Sequence, residues 1–104
     1  MTVNEQRIPI TRVDELPPGS MRAAVIADRT VLLANVDGTL YAVSGECTHD
    51  GAPLVDGELD GDTVVCPWHF SRFCLRTGEV IESPAEDALP TLAVDVVDGA
   101  VFVR

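Results

Sequence analysis

Asp-Gly recurs at positions 37–38, 50–51, 56–57, 60–61 and 98–99, and two of these pairs each separate two strand-length apolar runs. The runs at 31–36 and 40–44 flank Asp37-Gly38, and those at 92–97 and 100–104 flank Asp98-Gly99. Both residues of an Asp-Gly pair can take positive φ, which a two-residue hairpin turn needs to match the twist of its strands. Further short runs lie at 7–11, 21–27 and 63–66, with a brief strand expected at 58–60. None of them sustains helical spacing beyond two turns. Residues 13–16 can form one helical turn before Pro17-Pro18-Gly19 stops it. The expected fold is all-β, an antiparallel sandwich or open barrel.

At 104 residues the chain has room for one domain with a modest core. Hydrophobic residues make up 46% and charged residues 23%, a balance that argues for a folded chain over a disordered one. The formal net charge of −10 excludes nucleic acid and anionic membrane surfaces as partners, since no basic patch exists to meet their phosphates. It suits steering toward a basic protein partner. Met1-Thr2-Val3-Asn4-Glu5 has no basic start, and no signal-like apolar stretch follows it. The longest apolar runs, at 23–27 and 31–34, are too short to span a membrane. Three cysteines, an odd number, argue against a disulfide framework. A reducing cytoplasm is the expected compartment.

The centre, residues 45–77, differs from its flanks and reads as two long loops joined by short strands. It holds three Asp-Gly pairs, two prolines and two facing motifs, Cys47-Thr48-His49 and Cys66-Pro67-Trp68-His69. Both histidines of the chain and two of its three cysteines fall in these motifs. Two thiolates and two imidazoles form a plausible zinc set. In zinc fingers, however, cysteines pair with cysteines and histidines with histidines on a helix. Here each arm carries one of each, sixteen residues lie between the arms, and Pro67 disfavours a helix. The alternative is a [2Fe–2S] cluster of mixed ligation, with two cysteines on one iron and two histidines on the other, the Rieske type. Each loop would then give one Cys to the first iron and one His to the second.

The residues around the motifs resemble the Rieske ferredoxin family. Cys47 to Leu54 and Cys66 to Phe73 are similar to its two cluster loops, and Arg76-Thr77-Gly78-Glu79-Val80 and Pro84-Ala85 to the segments that follow. The resemblance extends over essentially the whole chain. It implies a Rieske (iron-sulfur protein-like) fold, with a base at 1–44 and 78–104 and an inserted cluster-binding subdomain at 45–77. It implies one [2Fe–2S] cluster per chain, held by Cys47, His49, Cys66 and His69. It further implies a soluble, monomeric one-electron carrier that is not itself an enzyme. Such a carrier takes electrons from a flavin-containing NAD(P)H reductase and passes them to the terminal oxygenase of an aromatic-ring dioxygenase or related non-haem iron oxygenase. The alternatives are the small subunit of a nitrite reductase, many of which lack the full ligand set, and a zinc-stabilised binding module.

Two departures stand out. The family often has Gly after the second ligand histidine, where this chain has Phe70. Cys74 is not at a ligand position and reads as a small buried strand residue, with redox sensing or substitute ligation as the other readings.

Neutral imidazoles leave the oxidised site without net charge, and this raises Rieske potentials to roughly −150 to +300 mV. Respiratory members link their loops by a disulfide, at positions matching Ala52 and Trp68, and present Ser and Tyr hydroxyls to the sulfurs. Here Ser71 matches the first hydroxyl and Phe73 replaces the second. With fewer hydrogen bonds to sulfur, the expected potential lies in the low half of the range. Pro53, Trp68, Phe70 and Pro84 are the residues expected to shield the cluster. The outer ring N–H groups of His49 and His69 should be more acidic in the oxidised state. The potential should therefore fall as pH rises through the alkaline range, which voltammetry at a series of pH values would check.

Overall fold

The two Asp-Gly hairpins form with the backbone their chemistry allows. Asp37 and Gly38 take φ of 53° and 96°, and Asp98 and Gly99 take 51° and 82°. The computed structural model describes residues 9–26 and 28–104. Among these residues the strands, in chain order, are β1 (Thr11–Arg12), β2 (Met21–Ile26), β3 (Arg29–Val36), β4 (Thr39–Ser44), β5 (Glu58–Asp60), β6 (Thr63–Val65), β7 (Arg72–Cys74), β8 (Val80–Glu82), β9 (Thr91–Leu92), β10 (Val94–Val97) and β11 (Ala100–Val103). They make three antiparallel sheets, ordered β1-β11-β10, β2-β3-β4-β9 and β5-β6-β7-β8. The expected turn appears as a 3-10 turn, Val13–Glu15, and Leu16 behind it is buried. Of the run expected at 7–11, the first two residues lie outside the described residues. Ala27, the end of the run at 21–27, lies outside them too.

The sheet β2-β3-β4-β9 is the middle layer, and the burial of β3 shows why. Val31, Leu32, Leu33 and Ala34 are all buried, with no alternation. A strand covered on one face only would alternate; one covered on both reads as a continuous apolar run. Val31 and Leu33 face one core, with Leu16, Ala42 and Val101. Leu32 and Ala34 face the other, with Val43, Leu54, Val64, Phe73 and Leu75. Each such buried aliphatic side chain contributes about 1.5–3 kcal/mol. Asn35 is the buried polar exception. Its side chain donates to Leu16 O at 2.7 Å and accepts from Gly38 N at 2.8 Å, which ties the hairpin turn to the 3-10 turn.

Two details depart from the sequence reading. The run at 92–97 is two strands, because β9 pairs with β4 and β10 with β11. The chain changes sheet at Ala93, whose N–H and C=O both bond Arg104. A strand that switches sheets in this way makes a corner of the sandwich. The central segment also holds three strands where two were expected, and their sheet has four. The fourth, β8, carries its sheet past the boundary drawn at residue 77.

Candidate metal centre

Each ligand motif sits on a loop closed by the same backbone pattern. In the first, Cys47 N donates to Ala52 O at 2.9 Å and Gly51 N donates to Cys47 O at 2.8 Å. In the second, Cys66 N donates to Ser71 O at 2.8 Å and Phe70 N donates to Cys66 O at 3.1 Å. The fourth residue after each cysteine has a left-handed backbone, Gly51 at φ 77° and Phe70 at φ 65°. Glycine adopts that conformation freely, whereas for phenylalanine it costs about 1–2 kcal/mol. Phe70 therefore keeps the loop shape of its glycine counterpart and carries the strain.

The two loops bring their donors together around Asp50. The ligand atoms of Cys47, Asp50 and Cys66 lie within 4.8 Å of one another, as do those of His49, Asp50 and His69. Cys47 and Cys66 are buried, and burial pushes the Cys47 thiol up, with Cys66 beside it adding to the effect. The imidazoles lie outward, their side chains 38% and 55% exposed. Both present Nδ1 to Asp50 Oδ2, His69 by a hydrogen bond and His49 at 3.6 Å. Burial would raise the Asp50 pKa, but the Ala52 N–H and the His69 ring outweigh it and hold the carboxyl below its ordinary range. The His49 and His69 rings meet edge to face, with centroids 5.1 Å apart. A buried thiol pair and an exposed imidazole pair, each drawn from both loops, is the donor set that a mixed-ligated two-iron cluster requires.

A third segment closes the site, and the sequence reading placed only Pro84 and Ala85 there. Ser71, fully buried, accepts a hydrogen bond from Ala85 N at 2.9 Å through its hydroxyl oxygen. Thr48 donates its hydroxyl to Asp87 O at 2.6 Å. The segment is thus strapped across both loops. Thr48, Asp50 and Asp87 are the participants the motifs did not reveal as such. The one local signal was Asp50-Gly51, an Asx-turn pair whose carboxylate accepts from Ala52 N.

The residues expected to shield the cluster differ in how far the protein itself covers them. Trp68 is 56% exposed and Phe70 67%, and Pro84 is exposed as well; only Pro53 is half-buried. Cover for the cysteines comes from below, from Ala52, Leu54, Phe73 and Leu75, which share their core cluster. Phe73 is a core residue of β7. Cys74 is buried on the same strand, as its plain reading expected, and all three cysteines are free.

Ser71→Ala should destabilise the fold by about 1–3 kcal/mol, because it leaves the Ala85 N–H buried without its acceptor. Urea denaturation measures the loss. A midpoint equal to wild type would mean that another acceptor takes over.

The Rieske [2Fe-2S] domain profile matches residues 6–93. The chain is 39% identical over 95 residues to the 3-phenylpropionate/cinnamic acid dioxygenase ferredoxin subunit of Photorhabdus laumondii, covering 90% of each. Among solved structures it is similar to the ferredoxin of carbazole 1,9a-dioxygenase from Nocardioides aromaticivorans IC177, with a TM-score of 0.90 at 26% identity, covering 94% of this chain and 96% of that one. A chain from the complex of reduced oxygenase and oxidized ferredoxin in carbazole 1,9a-dioxygenase superposes with a TM-score of 0.89 at 30% identity, covering 94% and 92%.

Proposed function

The chain belongs to the Rieske [2Fe-2S] domain family, and from that premise we propose that it is the ferredoxin component of a multicomponent aromatic-ring dioxygenase, a one-electron carrier with no catalytic site of its own. The observation that carries this reading is the separation of donors into a buried Cys47/Cys66 pair and an outward His49/His69 pair. Cys47 and Cys66 would hold one iron, His49 and His69 the other. When bound, the cluster takes up and releases one electron. The chain's own residues seat it: the loop turns fix the four donors, and the core beneath excludes water. The two ring edges stay at the surface, where an electron can enter and leave.

The named relatives support a reading of the partners. One of them is the ferredoxin subunit of a dioxygenase, and another is a ferredoxin in complex with its oxygenase. For this chain we infer a terminal oxygenase as acceptor and a flavin-containing NAD(P)H reductase as donor, with the ferredoxin acting as a monomer in the cytoplasm. No helix among the described residues is long and apolar enough to cross a membrane. We assign the two-loop segment from residue 45 through β8 as the cluster-binding part of a single domain, the other two sheets being its base.

Iron and acid-labile sulfide assays on the purified protein test the reading. About two of each per chain, with a red-brown colour bleached by dithionite, is the expected result. One zinc per chain and no sulfide would reject it. The Ser71 hydroxyl, whose oxygen accepts from Ala85, still has its own proton to give. If that proton goes to a cluster sulfur, Ser71→Ala lowers the potential by tens of millivolts, since about 1 kcal/mol is roughly 40 mV for one electron.

A further inference from the structure

The two ligand loops close by the same pair of backbone bonds, so their positions can be matched one to one. The third residue after the cysteine is His69 in the second loop and Asp50 in the first, where the ligand histidine comes one position earlier. Equal turns aim equal positions the same way, and the Asp50 side chain enters the site as that of His69 does. One carboxylate oxygen lies within 4.8 Å of the Cys47 and Cys66 sulfurs, and one within the same distance of a ring nitrogen of both histidines. The side chain is only 14% exposed, so water screens it poorly.

Asp50 is held in place and held charged. Its Oδ1 accepts from Ala52 N at 3.1 Å, an Asx turn that favours the carboxylate form. The bonds from Cys47 N to Ala52 O and from Gly51 N to Cys47 O flank it, so the carboxylate can pivot on its short side chain but cannot leave the site. Among the described residues its ion-pair partners are the two histidines and no arginine. Imidazoles that ligate a metal do so in the neutral form, so no cation offsets the carboxylate once the site is loaded.

We propose that Asp50 is a potential-setting residue, whose carboxylate adds one negative charge beside the two-iron site and disfavours the incoming electron. The proposal rests on the electron-carrier reading and names a residue that tunes it. Two ferric ions, two sulfides and two thiolates sum to zero, and one electron takes that sum to −1. With Asp50 counted, the same step runs from −1 to −2, and repulsion in a poorly screened site opposes it. The charge at Asp50 and the hydroxyl missing at Phe73 then act in the same direction.

A redox titration of the cluster-loaded protein at neutral pH, followed by absorbance, tests this. At the wild-type midpoint, Asp50→Asn should show a reduced-to-oxidised ratio about tenfold higher, an upward shift of about 59 mV for one electron. Asparagine keeps a side-chain oxygen for the Ala52 N–H, so the turn stays and only the charge goes. Asp50→Glu keeps the charge and gives up the turn, and its ratio should stay close to wild type. A ratio unchanged or lowered in Asp50→Asn would overturn the proposal, and so would an equal rise in Asp50→Glu, which would assign the effect to the turn. Loss of iron and sulfide in Asp50→Asn would overturn it too, because Asp50 would then be part of the cluster's seat. A wild-type protein without iron and sulfide would instead strike the electron-carrier reading, so the two failures are distinct.

Discussion

Cys66→Ala will give a folded, colourless protein, with iron and acid-labile sulfide below about a tenth of the wild-type content. Cys66 supplies half of the soft donor pair, and alanine offers no lone pair in its place. The fold should survive, since the change removes one sulfur from a core that Leu54, Val64, Phe73 and Leu75 still fill. The remaining cysteine cannot rescue the site. Cys74 sits on the next strand with its N–H bonded to Glu79 O, and its C=O accepts from Gly78 N. Burial would push its thiol pKa up, but hydrogen bonds from the Thr77 hydroxyl and the Thr77 and Arg76 backbone outweigh that and hold it low. A thiol so engaged belongs to its own turn. Cys74→Ala should therefore keep full iron, sulfide and colour. The pair of variants gives opposite answers under one assay: iron retained in Cys66→Ala, or lost in Cys74→Ala, would mean that the ligands are misassigned.

The parts of this structure that could be read from the residues are those set by local chemistry. The hairpins at Asp37-Gly38 and Asp98-Gly99 were legible because their φ values require such residues. The β2–β3 hairpin carries no such signal. Asp28 takes φ 67° there, and nothing around it distinguishes that aspartate from any other. The split of the run at 92–97 was hidden for a different reason. The run at 92–97 looks the same whichever sheet each half joins, and only the pairing of Ala93 with Arg104 decides it. At the site, the four donors announced themselves by type and spacing. The strap from Ala85 and Asp87 did not, because its bonds to Ser71 and Thr48 span 14 and 39 residues and leave no periodic trace. Exposure was the least legible property. Trp68 and Phe70 are large and apolar, yet they are 56% and 67% exposed, because burial depends on what lies above a side chain and not on its type.

Phe73→Ala should cost about 3–5 kcal/mol, the range for emptying a fully buried aromatic site. Phe73 is 0% exposed and belongs to a core that joins two sheets, with Leu32 and Val43 from the middle layer and Val64 and Leu75 from the cluster side. The loss is therefore not local, because the cavity opens where the cluster-binding part rests on its base. A domain of this size has only about 5–15 kcal/mol in all, so the variant should melt roughly 15–30 °C lower. Phe70, three positions earlier, gives the control. It is the same residue type, but 67% exposed on strained backbone, so Phe70→Gly should be neutral or gain up to about 1 kcal/mol. Calorimetry on both variants checks the contrast, and a Phe73→Ala melting point within a few degrees of wild type would mean that the two halves do not depend on this side chain. The functional consequence follows from packing. Cys66 lies in the same core as Phe73, and the rigidity of its loop comes from the side chains beneath it. Phe73→Ala should thus release iron faster on mild heating, at temperatures where secondary structure is still intact, because the seat of the thiolate loosens before the sheets come apart.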